Sequence, residues 1–124
     1  MSANLFVYGT LMPDHGRWPS LEPFVAGSPR AAQVPGRLYR TPYGWPAAIF
    51  DPHVDQLVSG VLIALEPSIA EKTLAAIDAI EGVSSGLFHR VIVTAKSGER
   101  CWTYHWPAST DGFDEIAVWS QTSS

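Results

Sequence analysis

Cysteine, charge and long apolar runs are what this sequence has least of. A single cysteine, Cys101, excludes an internal disulfide and fits a reducing, cytoplasmic compartment. Charged residues make up only 16% of the chain, and the formal net charge is −4. Lys and Arg form no cluster, which excludes a nucleic-acid surface. No apolar run approaches the roughly 20 residues a bilayer-crossing helix needs, so no membrane association is expected. The opening MSANLF has neither a basic region nor a long apolar stretch, and no secretory leader is expected. His15, His53, His89 and His105 are scattered, without His-x-x-x-His or Cys/His ligand spacing. Neither a metal nor a cofactor is therefore expected. Internal repeats and low-complexity tracts are also missing.

What is present suits one domain over residues 1–124. Apolar residues make up 46% of the chain, enough for a single core. Ten glycines and ten prolines, spread along the chain, predict short elements with many corners. Leu5 to Tyr8 reads as a strand buried on both faces, because its apolar residues do not alternate with polar ones. MPDHGRWPSLEPF is a loop with at most one helical turn. Further strands are predicted at Gly36–Arg40, around Trp45 and Ala47–Phe50, at Val58–Leu65, at Phe88–Ala95 and at Cys101–Trp106. The last two form a hairpin across KSGE. The tail DGFDEIAVWS is a last strand or a short turn, and QTSS should fray.

One main helix is expected in SIAEKTLAAIDAIEG. Ser68 and Glu71 have capping-box spacing, Gly82 suits the position past the C-terminal end, and Ala70, Leu74 and Ile77 form one stripe. The predicted fold class is α+β, a small mixed β-barrel of about five to seven short strands with one main helix.

Four residues beyond Ile77, the apolar stripe lands on Glu81. A carboxylate there is partly buried and meets the negative end of the helix dipole, and both effects raise its pKa toward the range of a general acid/base. The alternative is a glutamate that reaches past the core to water or to Arg90. A second feature is the corner Tyr8-Gly9-Thr10-Leu11. A strand that ends at glycine leaves backbone N–H groups without ladder partners and lets another atom approach closely, which suits a carboxylate or an oxyanion. The alternative is an ordinary tight turn. Cys101 lies in an alternating strand and is expected to be a small buried apolar residue. GVSSG lacks the strand-to-helix elbow of a serine nucleophile and is expected at a pocket rim. Trp18, Trp45 and Trp106 are candidate pocket walls.

These residues together resemble the gamma-glutamylcyclotransferase-like family. The ordered parts are FVYGTL, GRLY, VSGVLIAL, IDAIEG, FHRVIV and CWTY, from Leu5 to about Trp106. The resemblance implies a small mixed barrel and a small-molecule gamma-glutamyl substrate. It implies that Tyr8, Gly9, Thr10 and Leu11 line a pocket for a glutamyl-like group, that Glu81 is the catalytic acid/base, and that Arg90 and Tyr104 support the site. The implied reaction releases an amine from a gamma-glutamyl amide and forms 5-oxoproline, by attack of the substrate's own α-amine on its γ-carbonyl. Two departures stand out. MPDHGRWPS is proline-rich and without the basic residue often found there, and Phe88 stands where a tyrosine is frequent. Two other functions fit the same residues: a binding module for a glutamyl or carboxylate ligand that lacks turnover, and an amide hydrolase or other lyase using the same glutamate. The leaving amine, the oligomeric state and the pathway are not specified by the sequence.

Overall fold

Leu5, Phe6 and Val7 are almost fully buried in the computed structural model, which describes residues 4–13 and 15–119. Each such side chain, taken out of water, contributes roughly 1.5–3 kcal/mol. The strands in chain order are β1 (Asn4–Val7), β2 (Arg30–Arg40), β3 (Pro46–Phe50), β4 (Leu57–Ala64), β5 (His89–Thr94), β6 (Arg100–His105) and β7 (Asp114–Ile116). They form one sheet in the order β3-β2-β4-β1-β6-β5, with β7 paired to β2. β1 is therefore central, antiparallel to β4 and parallel to β6. Neighbours on both edges explain why its side chains run apolar without alternation.

β2 starts well before Gly36, where the sequence suggested. Residues 30–35 pair with β4, residues 36–40 pair with β3, and the strand changes partner at Pro35-Gly36. Proline and glycine mark a bend between two ladders here rather than the start of a strand. A side chain on Gly36 would sit 2.5 Å from the Ile49 carbonyl oxygen, so only glycine fits the bend. The bend curls the sheet back on itself. The Trp106 amide donates to the Ala48 carbonyl at 2.9 Å, and the Phe50 amide donates to His105 Nδ1 at 3.2 Å. These bonds bring β3 against β6 and nearly close the barrel. The tail forms β7, which pairs with Leu38–Arg40.

Two helices flank the barrel: α1 (Trp18–Leu21), a single turn that buries Leu21, and α2 (Ala70–Ile80). α2 turns Thr73, Leu74 and Ile77 to the core, as its period predicts. Its start differs from the expected capping box. Pro67–Ile69 form a 3-10 turn, Ile69 is the N-cap, and no side chain caps the helix. Pro67 begins the turn, so Ser68 already lies inside it rather than at the helix boundary. Among the described residues, no helix is long and apolar enough to cross a membrane. Residues 121–124, expected to fray, lie outside the described residues.

Candidate active site

β1 ends at Val7, and the chain turns at once. The Tyr8 ring is buried, and its hydroxyl donates to the main-chain carbonyl of Tyr104. The Met12 amide donates to the Gly9 carbonyl at 3.0 Å, and the Arg17 amide donates to the Thr10 carbonyl at 2.7 Å. The corner thus uses its carbonyls to hold its own shape. Among the described residues, the amides of Gly9, Thr10 and Leu11 donate to nothing. A row of amides without protein acceptors on a cleft wall is a ready site for an anionic or carbonyl oxygen. Gly9 is required by its neighbour: a Cβ there would sit 2.8 Å from Cγ of Pro46 on β3.

Glu81 lies on the far wall of the same cleft. α2 ends at Ile80, and Glu81 is its C-cap, with its amide donating to the Ile77 carbonyl at 2.9 Å. Gly82 then takes a left-handed conformation, φ +71°, which stops the helix and leaves Glu81 at its carbonyl end. The cleft holds about 540 Å³ of free space, mouth included, and both Glu81 and Gly9 to Leu11 line it. Burial pushes the Glu81 carboxyl up to about 7, while the Arg17 charge pulls the other way. Burial also raises the Tyr8 and Tyr104 hydroxyls, and the Glu81 charge adds to both shifts. The acid is therefore close to the two tyrosines of the cleft floor.

Arg17, in the proline-rich segment after the corner, was not singled out from the sequence and is a cation of the cleft. Its side chain lines the cleft, and its guanidinium donates to the Ile80 carbonyl at 3.3 Å. It ties the corner to the end of α2. Its place in an irregular loop gives no periodicity from which its direction can be read.

Arg90 does not line the cleft and does not pair with Glu81. Its Nε lies 2.9 Å from Oδ1 of Asp78, and its guanidinium stacks on Trp102 at 4.5 Å. The Tyr104 hydroxyl donates to the same Asp78 oxygen at 2.8 Å. Tyr104 thus lines the cleft with its hydroxyl bonded to Asp78. Asp78 was not singled out from the sequence, although it opens the Asp-x-x-Glu-Gly run and lies three residues before Glu81, on a neighbouring part of the helix face.

Trp45 and Phe88 form one wall of the cleft, and Trp106 stacks behind them at 5.6 and 5.4 Å. Trp18 packs on the core from α1 and does not line the cleft. Cys101 is buried, and burial pushes its thiol up to about 11, which removes it as a nucleophile at neutral pH. The 3-10 turn Val83–Ser85 leads into Leu87 and Phe88 at the cleft.

Comparison with known proteins adds a family. The family model described as gamma-glutamyl cyclotransferase, AIG2-like, matches residues 5–121. No curated protein sequence is found to match the chain. Among solved structures, an uncharacterized protein from Pyrococcus horikoshii superimposes with a TM-score of 0.69 at 19% identity, over 94% of this chain and 86% of that one. An AIG2-like protein from Mus musculus gives 0.67 at 14% identity, over 94% and 87%. YkqA from Bacillus subtilis gives 0.70 at 20% identity, over 94% of this chain but only 38% of that longer one. At these identities the structures establish a shared fold.

Proposed function

This chain belongs to the gamma-glutamyl cyclotransferase, AIG2-like family, and from that premise we propose that it converts a gamma-glutamyl amide into 5-oxoproline and a free amine. The substrate's α-amine attacks its own γ-carbonyl carbon. A ring C–N bond forms, the original amide C–N bond breaks, and no enzyme nucleophile is needed. The cleft's work is to fold the glutamyl chain so that nitrogen and carbonyl meet, and to keep water out. Glu81 takes the proton from the attacking nitrogen and returns it to the departing one. A carboxyl poised near 7 is suited to both halves of that transfer at neutral pH. The amides of Gly9, Thr10 and Leu11 hold the substrate oxygen on which negative charge develops, or its carboxylate, and Arg17 adds positive charge nearby.

One observation carries this reading: a carboxyl of raised pKa and a row of amides that donate to nothing among the described residues, about seventy residues apart in sequence, line one cleft. The test is 5-oxoproline release by the wild type and by Glu81→Gln. The substitution keeps the shape and removes the base, and it is expected to lower kcat by roughly a hundredfold or more. Turnover at the parent rate would refute the assignment.

A further inference from the structure

The cleft's mouth has a chemistry different from its floor. Trp45 stands between Tyr43, at 5.1 Å, and Phe88, at 5.7 Å between ring centroids. Phe113 closes on Tyr43 from the other side at 6.3 Å. Leu87, which lines the cleft, is 39% exposed, and Tyr43, which packs on Trp45 outside the lining, is 59% exposed, so large apolar groups face solvent beside the cleft. The rim is held in place. The buried Thr41 hydroxyl donates to the Trp45 carbonyl at 2.6 Å and accepts the Tyr43 amide at 3.2 Å. Among the described residues that line the cleft, Arg17 and Glu81 are the charged ones. The glutamyl α-carboxylate needs a positive partner, and Arg17 is the cation available. Among the described residues that line the cleft, no second cation remains for a carboxylate on the leaving group.

Resting on the cyclotransferase reading, we infer that the leaving half of the substrate is an aromatic or bulky apolar amine without a carboxylate, seated on Trp45, Leu87 and Phe88. The glutamyl half fits inside the cleft, against the amides of the corner. The amine must then point to the mouth, where ring faces and the Leu87 side chain receive it. An amino-acid leaving group sets its carboxylate beside those rings with no cation of the lining to pair with, so it gains less from the subsite than an apolar amine does.

The experiment measures binding and turnover in parallel on the full chain with three probes: gamma-glutamyl-phenethylamide, gamma-glutamyl-alanine and gamma-glutamyl-1,4-diaminobutane. Calorimetry should show the phenethylamide binding at least about tenfold more tightly than the other two. Equal or weaker binding overturns the inference. Tight phenethylamide binding without 5-oxoproline keeps the aromatic subsite and removes the cyclotransferase reading. Equal kcat/KM on all three keeps that reading and removes the subsite. Leu87→Asp, at a side chain 39% exposed, supplies a second check, made on protein whose circular dichroism and melting match the wild type. It should weaken phenethylamide binding by about fivefold or more and strengthen diaminobutane binding by a similar factor. Unchanged affinities for both probes overturn the placement of the amine at the mouth.

Discussion

Asp78 holds Arg90, with Nε and Oδ1 2.9 Å apart, and both side chains are about a quarter exposed, at 22% and 27%. The same carboxylate accepts the Tyr104 hydroxyl. The pair links α2 to β5 and β6 one helical turn before the cleft. It also settles where the Arg90 charge goes. Arg90 is committed to Asp78, and Arg17 is the cation that acts on Glu81. A glutamate bonded to Arg90 would be held ionised and would make a poor acid at neutral pH. The arrangement seen keeps one carboxylate structural and frees the other.

Asp78→Asn should therefore cost stability more than chemistry. It keeps an acceptor for Tyr104 but leaves the Arg90 charge half-buried and unpaired. A loss of about 1–3 kcal/mol is expected from urea unfolding. An unchanged urea midpoint would show that the pair contributes no net stability.

Glu81 makes stability depend on pH. Its folded pKa, about 7, lies above the unfolded value of 4.5, so the folded state binds the proton more tightly. The contribution of the protonated carboxyl is complete below about pH 4.5 and is lost as pH rises through 7. The difference between those limits is about 3 kcal/mol. Thermal unfolding of wild type and Glu81→Gln at pH 5 and pH 8 tests it. The variant should gain on the wild type at pH 8, and parallel behaviour at both pH values contradicts the shift.

Arg17 should tune the same proton. Its charge holds the Glu81 pKa below what burial alone imposes. Removing it with Arg17→Met moves the acid limb of kcat/KM to higher pH, so activity at pH 6 falls more than activity at pH 8. An equal fall at both pH values would point to substrate binding alone as the role of Arg17.

How much of this was legible in the sequence follows from how local each signal is. β1 could be read because four residues in a row are apolar, and α2 because its core-facing residues repeat at helical spacing. Glu81 could be read as the next step of that stripe, and the structure does place it on the cleft wall. The first half of β2 could not. Arg30 to Gln33 carry no apolar alternation, and Pro35-Gly36 look like a break when they are a change of partner. The choice of Asp78 over Glu81 by Arg90 could not be read either. It is made by the register of β5 on β6, which sets Arg90 opposite Tyr104. That register, unlike the hairpin itself, leaves no mark on neighbouring residues. Arg17 acts from an irregular loop, where side-chain direction is set by tertiary contacts alone.

The contact between Gly9 and Pro46 offers the sharpest test of the corner. A methyl group at Gly9 would lie 2.8 Å from Cγ and 3.0 Å from Cδ of Pro46, inside any tolerable separation. Pro46 begins β3, whose main chain is bonded to Arg40 and its neighbours on β2, so its ring has little room to retreat. Gly9→Ala should therefore destabilise the fold by about 1–3 kcal/mol, as overpacking does, and push the Thr10 and Leu11 amides away from Glu81. Activity should fall further than stability accounts for, because amides displaced by a fraction of an ångström no longer meet the substrate oxygen. Pro46→Ala alone removes two ring carbons from the wall and is expected to cost less. The double variant Gly9→Ala/Pro46→Ala relieves the clash, so it should recover a large part of both stability and turnover. In a double-mutant cycle this gives a coupling energy of about 1 kcal/mol or more. Additive losses instead would mean that the space left for Pro46 is not what requires glycine at this position.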